Sequence, residues 1–497
     1  MSGDIKPKPP DGFSNRAALA TVFLVVMIDL LGFGIVLPLL PFYAQEFAAT
    51  PLTIGLLYSV YSLMQLIFSP LWGSLSDRMG RRPIMLLSTL GASLAYILFG
   101  FAESLALLFF SRVLAGGMGG NISTAQAYIA DVTTKENRAR GMGLIGAAFG
   151  IGFVVGPASA TLMIHPGFHS FVGGLGAESL AAWMEANRFA LPGFFAAFLS
   201  FCSFMMVLFK LPETVGRVRA GQAGRAEHAG QAEQTDMAGE GAGRAEGGHG
   251  TRRAGVFTRR FWQRLFQAAE HHQHPHQHQH QHQHQHPHPN HGDPQNQASA
   301  ISSPRKKHKT IPLLALLLIA FFLLSFGESS LYSAFPLFAS ERLSLTAEQV
   351  GIQFFFIGII AVVIQGFLIK PLTRRFSEQR LFLVGNGLMV AGLGSIPLAG
   401  SMVQLAVALS VMAVGKSLNT PTMTSLISQQ ADEREVGAVM GTAQGLSGLG
   451  RMIGPAWGGA MFALAYALPF VATAAIVSGT LWIGVRILRS GKREVRV

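Results

Sequence analysis

Gly73-Ser74-Leu75-Ser76-Asp77-Arg78-Met79-Gly80-Arg81-Arg82-Pro83 is a short run of charge and glycine between two long apolar stretches, 53–73 and 83–102. Working outward from it, the same alternation repeats along the chain. Apolar stretches occupy 17–40, 53–73, 83–102, 105–127, 141–164, 189–209, 311–335, 350–370, 381–399, 402–427, 437–463 and 466–488. A bilayer core roughly 30 Å thick needs about 20 apolar residues per helix, and each stretch meets or approaches that length. Half of the 497 residues are hydrophobic and only 13% are charged, where a soluble domain carries about a quarter. The expectation is an all-α membrane protein of twelve transmembrane helices.

The formal charge is +12, and its placement argues for topology rather than for nucleic acid. With the N-terminus inside, Lys6, Lys8, Arg16, Arg78, Arg81, Arg82, Lys135, Arg138, Arg140, Arg374, Arg375, Arg380 and the 489–496 tail all fall on one side. Only Arg188 and Arg342 fall in the opposite connections. A lysine and arginine excess marks the cytoplasmic side, so both termini are expected in the cytoplasm of a cell (inner) membrane protein, with lipid and no nucleic acid as partner. The first stretch is too long for a signal-peptide core and carries Asp29 at its middle, so it is expected to remain as a span. Cys202 is the single cysteine, which rules out an internal disulfide.

Composition changes abruptly at 210–310, which is rich in Gly, Ala, Arg, Gln and His and has little to bury. Within it, 252–269 sets Phe257, Phe261, Trp262, Leu265 and Phe266 among arginines, readable as an interfacial helix or as linker. On either side the chain repeats itself at one offset. Gly117, Asn121, Thr124, Met142, Gly143, Gly152 and Gly156-Pro157-Ala158 recur at Gly415, Asn419, Thr422, Met440, Gly441, Gly450 and Gly454-Pro455-Ala456, and Pro38 recurs at Pro336. The expected organisation is a tail at 1–16, a six-helix bundle at 17–209, a linker at 210–310, a second six-helix bundle at 311–489 and a tail at 490–497. Two pseudo-symmetric halves of this kind place a binding site near the bilayer midplane.

The 73–83 loop resembles the signature between helices two and three of the major facilitator superfamily. Gly73, Asp77, Arg78, Gly80, Arg81 and Arg82 carry the match. In that family the loop braces the halves on the cytoplasmic side, and its arginine pairs with an acid ending helix four. Asp131, in Tyr128-Ile129-Ala130-Asp131, holds that place, so Arg81–Asp131 is the expected conformational latch; the alternative is that these charges only set topology. Glycine permits close helix approach and Asp77 is suited to cap a helix end. The second half keeps Arg374 and Arg375 but lacks the aspartate and glycines, so any latch is asymmetric. Gly146, Gly150, Gly152, Gly156 and Pro157 in the fifth span resemble the family's exporter motif, or serve tight packing alone.

Ionisable groups inside spans are the candidate proton and substrate site. An Asp, Lys or Arg at a helix centre costs ~2.5–3.5 kcal/mol by insertion scales, so it needs a partner or a watered cavity. Asp29 and Arg112 resemble family positions on adjoining spans and are expected to pair, as a switch or as a static ion pair. Burial favours the neutral form of a carboxylate and a nearby guanidinium the charged form, so breaking such a pair moves a proton. Glu328, Lys416 and Arg451 lie inside second-half spans, and the five groups together leave one positive charge in excess, which favours an anionic or electron-rich substrate. Gln65, Asn121, Gln126 and Asn419 either line the same cavity or bond helix to helix.

Ser88-Thr89-Leu90-Gly91-Ala92-Ser93-Leu94-Ala95-Tyr96-Ile97-Leu98 is similar to the third span of the tetracycline/proton antiporters and their drug-exporter relatives. Ala95 stands where those antiporters carry a functional aspartate, and a second is replaced near Met389. The resemblance implies a monomeric, cofactor-free secondary transporter that exchanges a small amphipathic molecule for protons down their gradient. Uptake symport of an organic acid or sugar, and metal or metal-chelate transport or sensing, are the alternatives. The last rests on the tract of His271, His272, His274, His276, His278, His280, His282, His284, His286, His288 and His291, which is otherwise an inert insertion. No phosphate-binding loop and no catalytic constellation appears, so neither ATP drive nor an enzyme is expected.

Overall fold

The computed structural model describes residues 15–133, 135–214, 313–431 and 436–494. The His tract and the 252–269 segment lie outside the described residues.

Helices run Asn15–Glu46, Pro51–Met79, Arg81–Gly100, then a fourth in two pieces (Leu105–Met118 and Asn121–Val132), Lys135–Ile164 and Ala190–Lys210. The second half runs Leu313–Leu343, an eighth helix from Ala347 to Arg375, Glu378–Ser395, Met402–Gln429, Val436–Leu464 and Leu468–Glu494. They are counted below as the first to twelfth helices. Eleven are long and apolar enough to cross a membrane. The eleventh helix has the length, 29 residues, but its glycines, Gln444 and Arg451 lower its hydropathy. Short connections are closed by side-chain caps: Thr50, Ser104, Thr346, Ser377 and Ser401 each accept from a backbone N–H in the following turn, and Thr346 forms a capping box with Gln349. The connection between the fifth and sixth helices is unexpectedly structured, as helices Pro166–Gly174 and Glu178–Ala186.

The repeat read in the sequence is a repeat of packing. In the first half the fifth helix presses Gly152 and Gly156 against Leu30, Leu31 and Gly34 of the first, so closely that a Cβ on either glycine would overlap backbone. In the second half the eleventh presses Gly450, Gly454 and Gly458 against the seventh in the same way, about one helical turn out of register. Serines explain that slide: Ser329 Oγ donates to the Gly450 carbonyl (3.0 Å), Ser333 Oγ to that of Pro455 (2.7 Å), and Ser325 bonds Ser447 (2.8 Å). Interhelical bonds of this kind contribute ~0.6 kcal/mol each.

Among the described residues the two halves meet from one end as far as mid-span and not beyond it. The end bearing Arg81 and Arg374 is called here the basic end. Near the opposite, far end, the Ala456 N–H donates to Ser59 Oγ (3.0 Å), Gly55 lies on the Pro455 carbonyl, and Gly459 lies on Pro51. The fifth and eighth helices touch from there to mid-span, through Gly351 against Thr161, Gly358 against Phe153, and Gly150 against Val362. Toward the basic end the same helix faces continue at intervals of one or two turns as Gly73, Gly143, Gly146, Gly441 and Gly445, and a Cβ there meets nothing within 4 Å. The cleft between the halves therefore opens toward the basic end. Close approach at Gly73 and Gly146, expected from the sequence, is absent in this state because the helices carrying them have already diverged.

Where they diverge, the second and eighth helices both lose regularity. The eighth turns into a π-helix over Val363–Leu368, directly after the residue that touches Gly150. The second carries Pro70, which removes a backbone donor from the helix interior.

Replacing Ser59 and Ala456 by cysteine in a Cys202→Ser background should give a disulfide in membranes on mild oxidation, read as a mobility shift under non-reducing electrophoresis. Cysteines at Gly73 and Gly441 should stay separate; the reverse pattern would place the opening at the far end.

Candidate functional site

Asp29 sits half-buried near the middle of the first helix, and among the described residues no basic side chain lies within ion-pair distance of it. The expected Asp29–Arg112 pair is not formed. Arg112 is 2% exposed and stacks on Phe99 (4.7 Å to the ring centroid) and Tyr96 (5.8 Å), with Nε donating to Ser111 Oγ at 3.4 Å. Its Nη2 has no hydrogen-bond partner. Depth explains the separation. At 1.5 Å per residue Asp29 lies ~21 Å along its helix from Tyr43 at the far end, while Arg112 lies only ~10 Å from Leu105 at that end. Tyr61 and Tyr96 fill the interval, each within coulombic reach of both charges. The Tyr96 hydroxyl rests on Gly32, one turn from Asp29, at a spot that a Cβ would fill.

In the second half Lys416 Nζ and Glu328 Oε1 form an ion pair at 2.5 Å. The Tyr332 hydroxyl donates to the same oxygen at 2.9 Å. Arg451 has no carboxylate within ion-pair distance among the described residues and donates from Nη1 to Ser447 Oγ (2.7 Å). Beside the ion pair lies a small, partly open pocket lined by Glu328, Lys416, Ser325 and Thr420 together with Phe321, Met389 and Met423. The halves touch through one ring pair, Tyr58 facing Tyr332 at 6.2 Å, while on the first-half side Phe33 packs on Tyr61 at 5.1 Å and on Phe153 at 5.9 Å. Lys416 Nζ lies 5.8 Å from the Phe153 centroid. Charge embedded in aromatic rings suits a molecule with both apolar and polar parts.

Sequence reading missed these tyrosines, although a signal existed: of only seven tyrosines in the chain, four (Tyr58, Tyr61, Tyr96 and Tyr332) gather around the span charges. The polar candidates divide. Gln65 Nε2 donates to the Gly119 carbonyl (3.4 Å) and Asn419 Nδ2 to Asn386 Oδ1 (3.0 Å), both helix-to-helix bonds. Asn121 is buried at the break of the fourth helix with its amide unpartnered, and Gln126 is exposed.

At the basic end the expected contact is present. Arg81 Nε lies 3.1 Å from Asp131 Oδ2, and Nη2 lies 2.7 Å from Asp77 Oδ1. Arg78 is exposed, and Arg82 Nη2 donates to the Leu208 carbonyl (2.6 Å). The missed member is Glu213, whose carboxylate accepts from the Arg81 N–H (2.9 Å) and the Arg82 N–H (3.1 Å), capping the third helix. Thr214 Oγ1 donates to Asp131 Oδ2 at 3.1 Å. Described structure thus runs to Thr214, past the expected linker start at 210. Gly80 is fixed twice over: its φ is +110°, and a Cβ would strike the Glu213 carboxylate. The clue was an acid in Leu211-Pro212-Glu213-Thr214, on a side otherwise rich in arginine. In the second half the corresponding ion pair is replaced by neutral partners around one acid. Gln379 and Gln429 stand at the repeat positions of Arg81 and Asp131, and Glu378 accepts from Gln429 Nε2 (2.9 Å) and Ser425 Oγ (2.8 Å).

The five-residue glycine–proline motif of the fifth helix does three jobs. Gly152 and Gly156 seat the first helix, with Pro157 against Gly34; Gly150 meets Val362 across the halves; Gly146 faces open space.

Twelve long helices in two repeated halves, opening at one end onto buried charge, describe a multi-pass membrane transporter rather than an enzyme. The chain belongs to the Major Facilitator Superfamily, whose model matches residues 22–455 and 317–494, and it is accordingly a secondary transporter. It is similar to "Tetracycline resistance protein, class C" of Escherichia coli, 25% identical over 473 residues, covering 94% of this chain and 93% of that protein. It is also similar to "Multidrug resistance protein 2" of Bacillus subtilis (strain 168), 23% identical over 458 residues and covering 91% of each. Among solved structures, the human organic anion transporter MFSD10 (TETRAN) superposes with a TM-score of 0.59 at 23% identity, over 96% of this chain and 100% of that one.

Glu213→Ala removes a charged cap from the third helix and should cost about 1 kcal/mol. Asp131→Asn should cost less while Asp77 still holds Arg81. Thermal unfolding in detergent ranks the two.

Proposed function

We propose that the chain is a proton-coupled exporter of small amphipathic compounds, seated in the cell (inner) membrane with both termini in the cytoplasm. One observation carries the reading: Asp29 stands in mid-span without a cation, while the arginine expected to neutralise it is folded into rings nearer the far end. A lone carboxylate at that depth is costly unless water reaches it. Because the cleft opens toward the basic end, that water is cytoplasmic in this state, and Asp29 there exchanges its proton with the cytoplasm. When the halves rock and the glycine faces of the second, fifth and eleventh helices close, the same group meets the other side. Substrate enters the aromatic-lined cleft from the cytoplasm, its apolar body against Phe33, Phe149 and Phe153 and its polar part near Glu328–Lys416. The tetracycline and multidrug resistance proteins among the relatives agree with such cargo.

Organic-anion transport is the second reading. It is favoured by the unpartnered Arg112 Nη2, by the absence of an acid beside Arg451 among the described residues, and by the name of the human structural neighbour. Flux in inverted vesicles separates the two, since export of a cationic dye and uptake of a carboxylate have opposite signs.

Asp29→Asn should lower pH-gradient-driven transport in proteoliposomes by about 100-fold or more, the ordinary size of a lost proton-transfer group, while leaving insertion and melting temperature unchanged. Undiminished gradient-driven flux would sink proton coupling at this residue. Glu328→Gln should shift preference from cationic toward anionic substrates by freeing Lys416, measured as the ratio of KM values for the two kinds.

A further inference from the structure

Residues 165–189, between the fifth and sixth helices, fold into two short helices that transport as described above does not use. Each carries an apolar stripe at helical spacing: Phe168, Phe171, Val172 and Leu175 on the first, Leu180, Trp183 and Met184 on the second. Met184 is buried and Phe168 and Val172 are half-buried, so one edge of each stripe packs on its surroundings. The other edge is bare. Phe171 is 64% exposed, Leu175 71%, Leu180 48% and Trp183 40%. Ser170, Glu178 and Glu185 are exposed as well, among the polar positions that alternate with the stripe.

Location identifies what covers the bare edge. The hairpin hangs from the far end of the fifth helix and is tied down beside the first: Phe189 stacks on Tyr43 at 5.5 Å, and Arg188 reaches Glu46 at 3.5 Å. Trp183 lies 6.1 Å from Phe194, and Phe194 lies 4.7 Å from Phe101, which is itself 60% exposed at the end of the third helix. Along the sixth helix the exposed row continues as Phe198 and Phe201. The apolar edge of the hairpin is thus continuous with the belt that faces acyl chains in a membrane-spanning chain. Tryptophan at the rim of such a belt is the ordinary mark of the lipid–water boundary.

We propose that the 165–189 hairpin is an interfacial lipid-binding element: it lies in the headgroup layer of the far leaflet with Phe171, Leu175, Leu180 and Trp183 in the acyl boundary and Glu178 and Glu185 in water. Its partner is the lipid surface, not a second protein. Since every tether named belongs to the first half, the element holds that half, and not the other, to one depth in the leaflet.

The test uses the full chain in liposomes of phosphatidylcholine and phosphatidylglycerol, with Cys202→Ser and single spin-labelled cysteines. Phe171→Cys, Leu175→Cys and Trp183→Cys sample the apolar edge; Ser170→Cys and Glu185→Cys sample the polar one. The ratio of relaxation by oxygen to relaxation by a water-soluble nickel chelate should be at least about twofold higher on the apolar edge, as for a helix lying in the interface. Equal, chelate-dominated relaxation at all five sites would put the hairpin in water and overturn the proposal. Labels on the apolar edge immobilised and reached by neither reagent would overturn it too, in favour of a protein partner or a second copy. Should Trp183→Cys fail to fold, Phe171→Cys and Leu175→Cys carry the same reading.

Discussion

Acyl chains are as apolar as leucine, so helices in a bilayer gain little by turning apolar faces to one another, and association rests on close approach and hydrogen bonds. In this chain that need is met by glycine. Gly152 and Gly156 seat the first helix in one half, and Gly450, Gly454 and Gly458 seat the seventh in the other. With no side chain between them, backbones meet directly, and each half becomes a body stiff enough to move as a unit. The contacts that join the halves run from the far end to mid-span, around Ser59, Ala456, Gly351 and Gly358, and stop there. A stiff pair of bodies with a one-ended joint is what alternating exposure of a site requires.

Charge is then placed relative to that joint rather than at random. Asp29 lies toward the middle of the first half and Glu328–Lys416 in the second, while Tyr58 and Tyr332 meet between the halves. The Tyr332 hydroxyl holds Glu328 while its ring leans on a residue of the opposite half. Separating the halves there removes the ring contact, so the setting of Glu328 depends on which end of the cleft is closed. At the basic end Arg81, Asp77, Asp131 and Glu213 tie helices of the first half to one another. That network stabilises one body more than it fastens two together in this state.

Much of this was legible in the chain. Spans follow from length and apolarity, which local sequence reports directly, and the constant repeat offset of glycine and proline required two related bundles. Arg81–Asp131 was readable because both ends sit beside helix termini whose levels are fixed by the membrane surface. Asp29–Arg112 failed because sequence gives the span of each residue but not its depth, and about 10 Å of depth was enough to let aromatic rings take the guanidinium. Glu213 escaped because an acid beyond a span end reads as linker until the helix N-terminus it caps is seen. The hairpin escaped because helices of nine residues are too short for periodicity to stand out from a glycine-rich loop. Gly73 and Gly146 face open space in this state, and sequence does not say which conformation a face belongs to.

The irregular turns of the second and eighth helices fall on one repeat position, for Pro70 and Leu368 are counterparts at the offset relating the halves. They are not the same device. Proline bends a helix and leaves its rotational phase nearly intact, whereas a π-turn takes up about one residue more than an α-turn and so rotates everything beyond it by ~100°. Lys370, Arg374 and Arg375 are therefore swung around the eighth helix axis relative to the face that meets Gly150, while Asp77 and Arg78 keep the phase of Ser59. Duplication supplied two arms of equal residue count; one wider turn in the eighth, with no residue inserted, makes its two flanks present different chemistry at the same mouth.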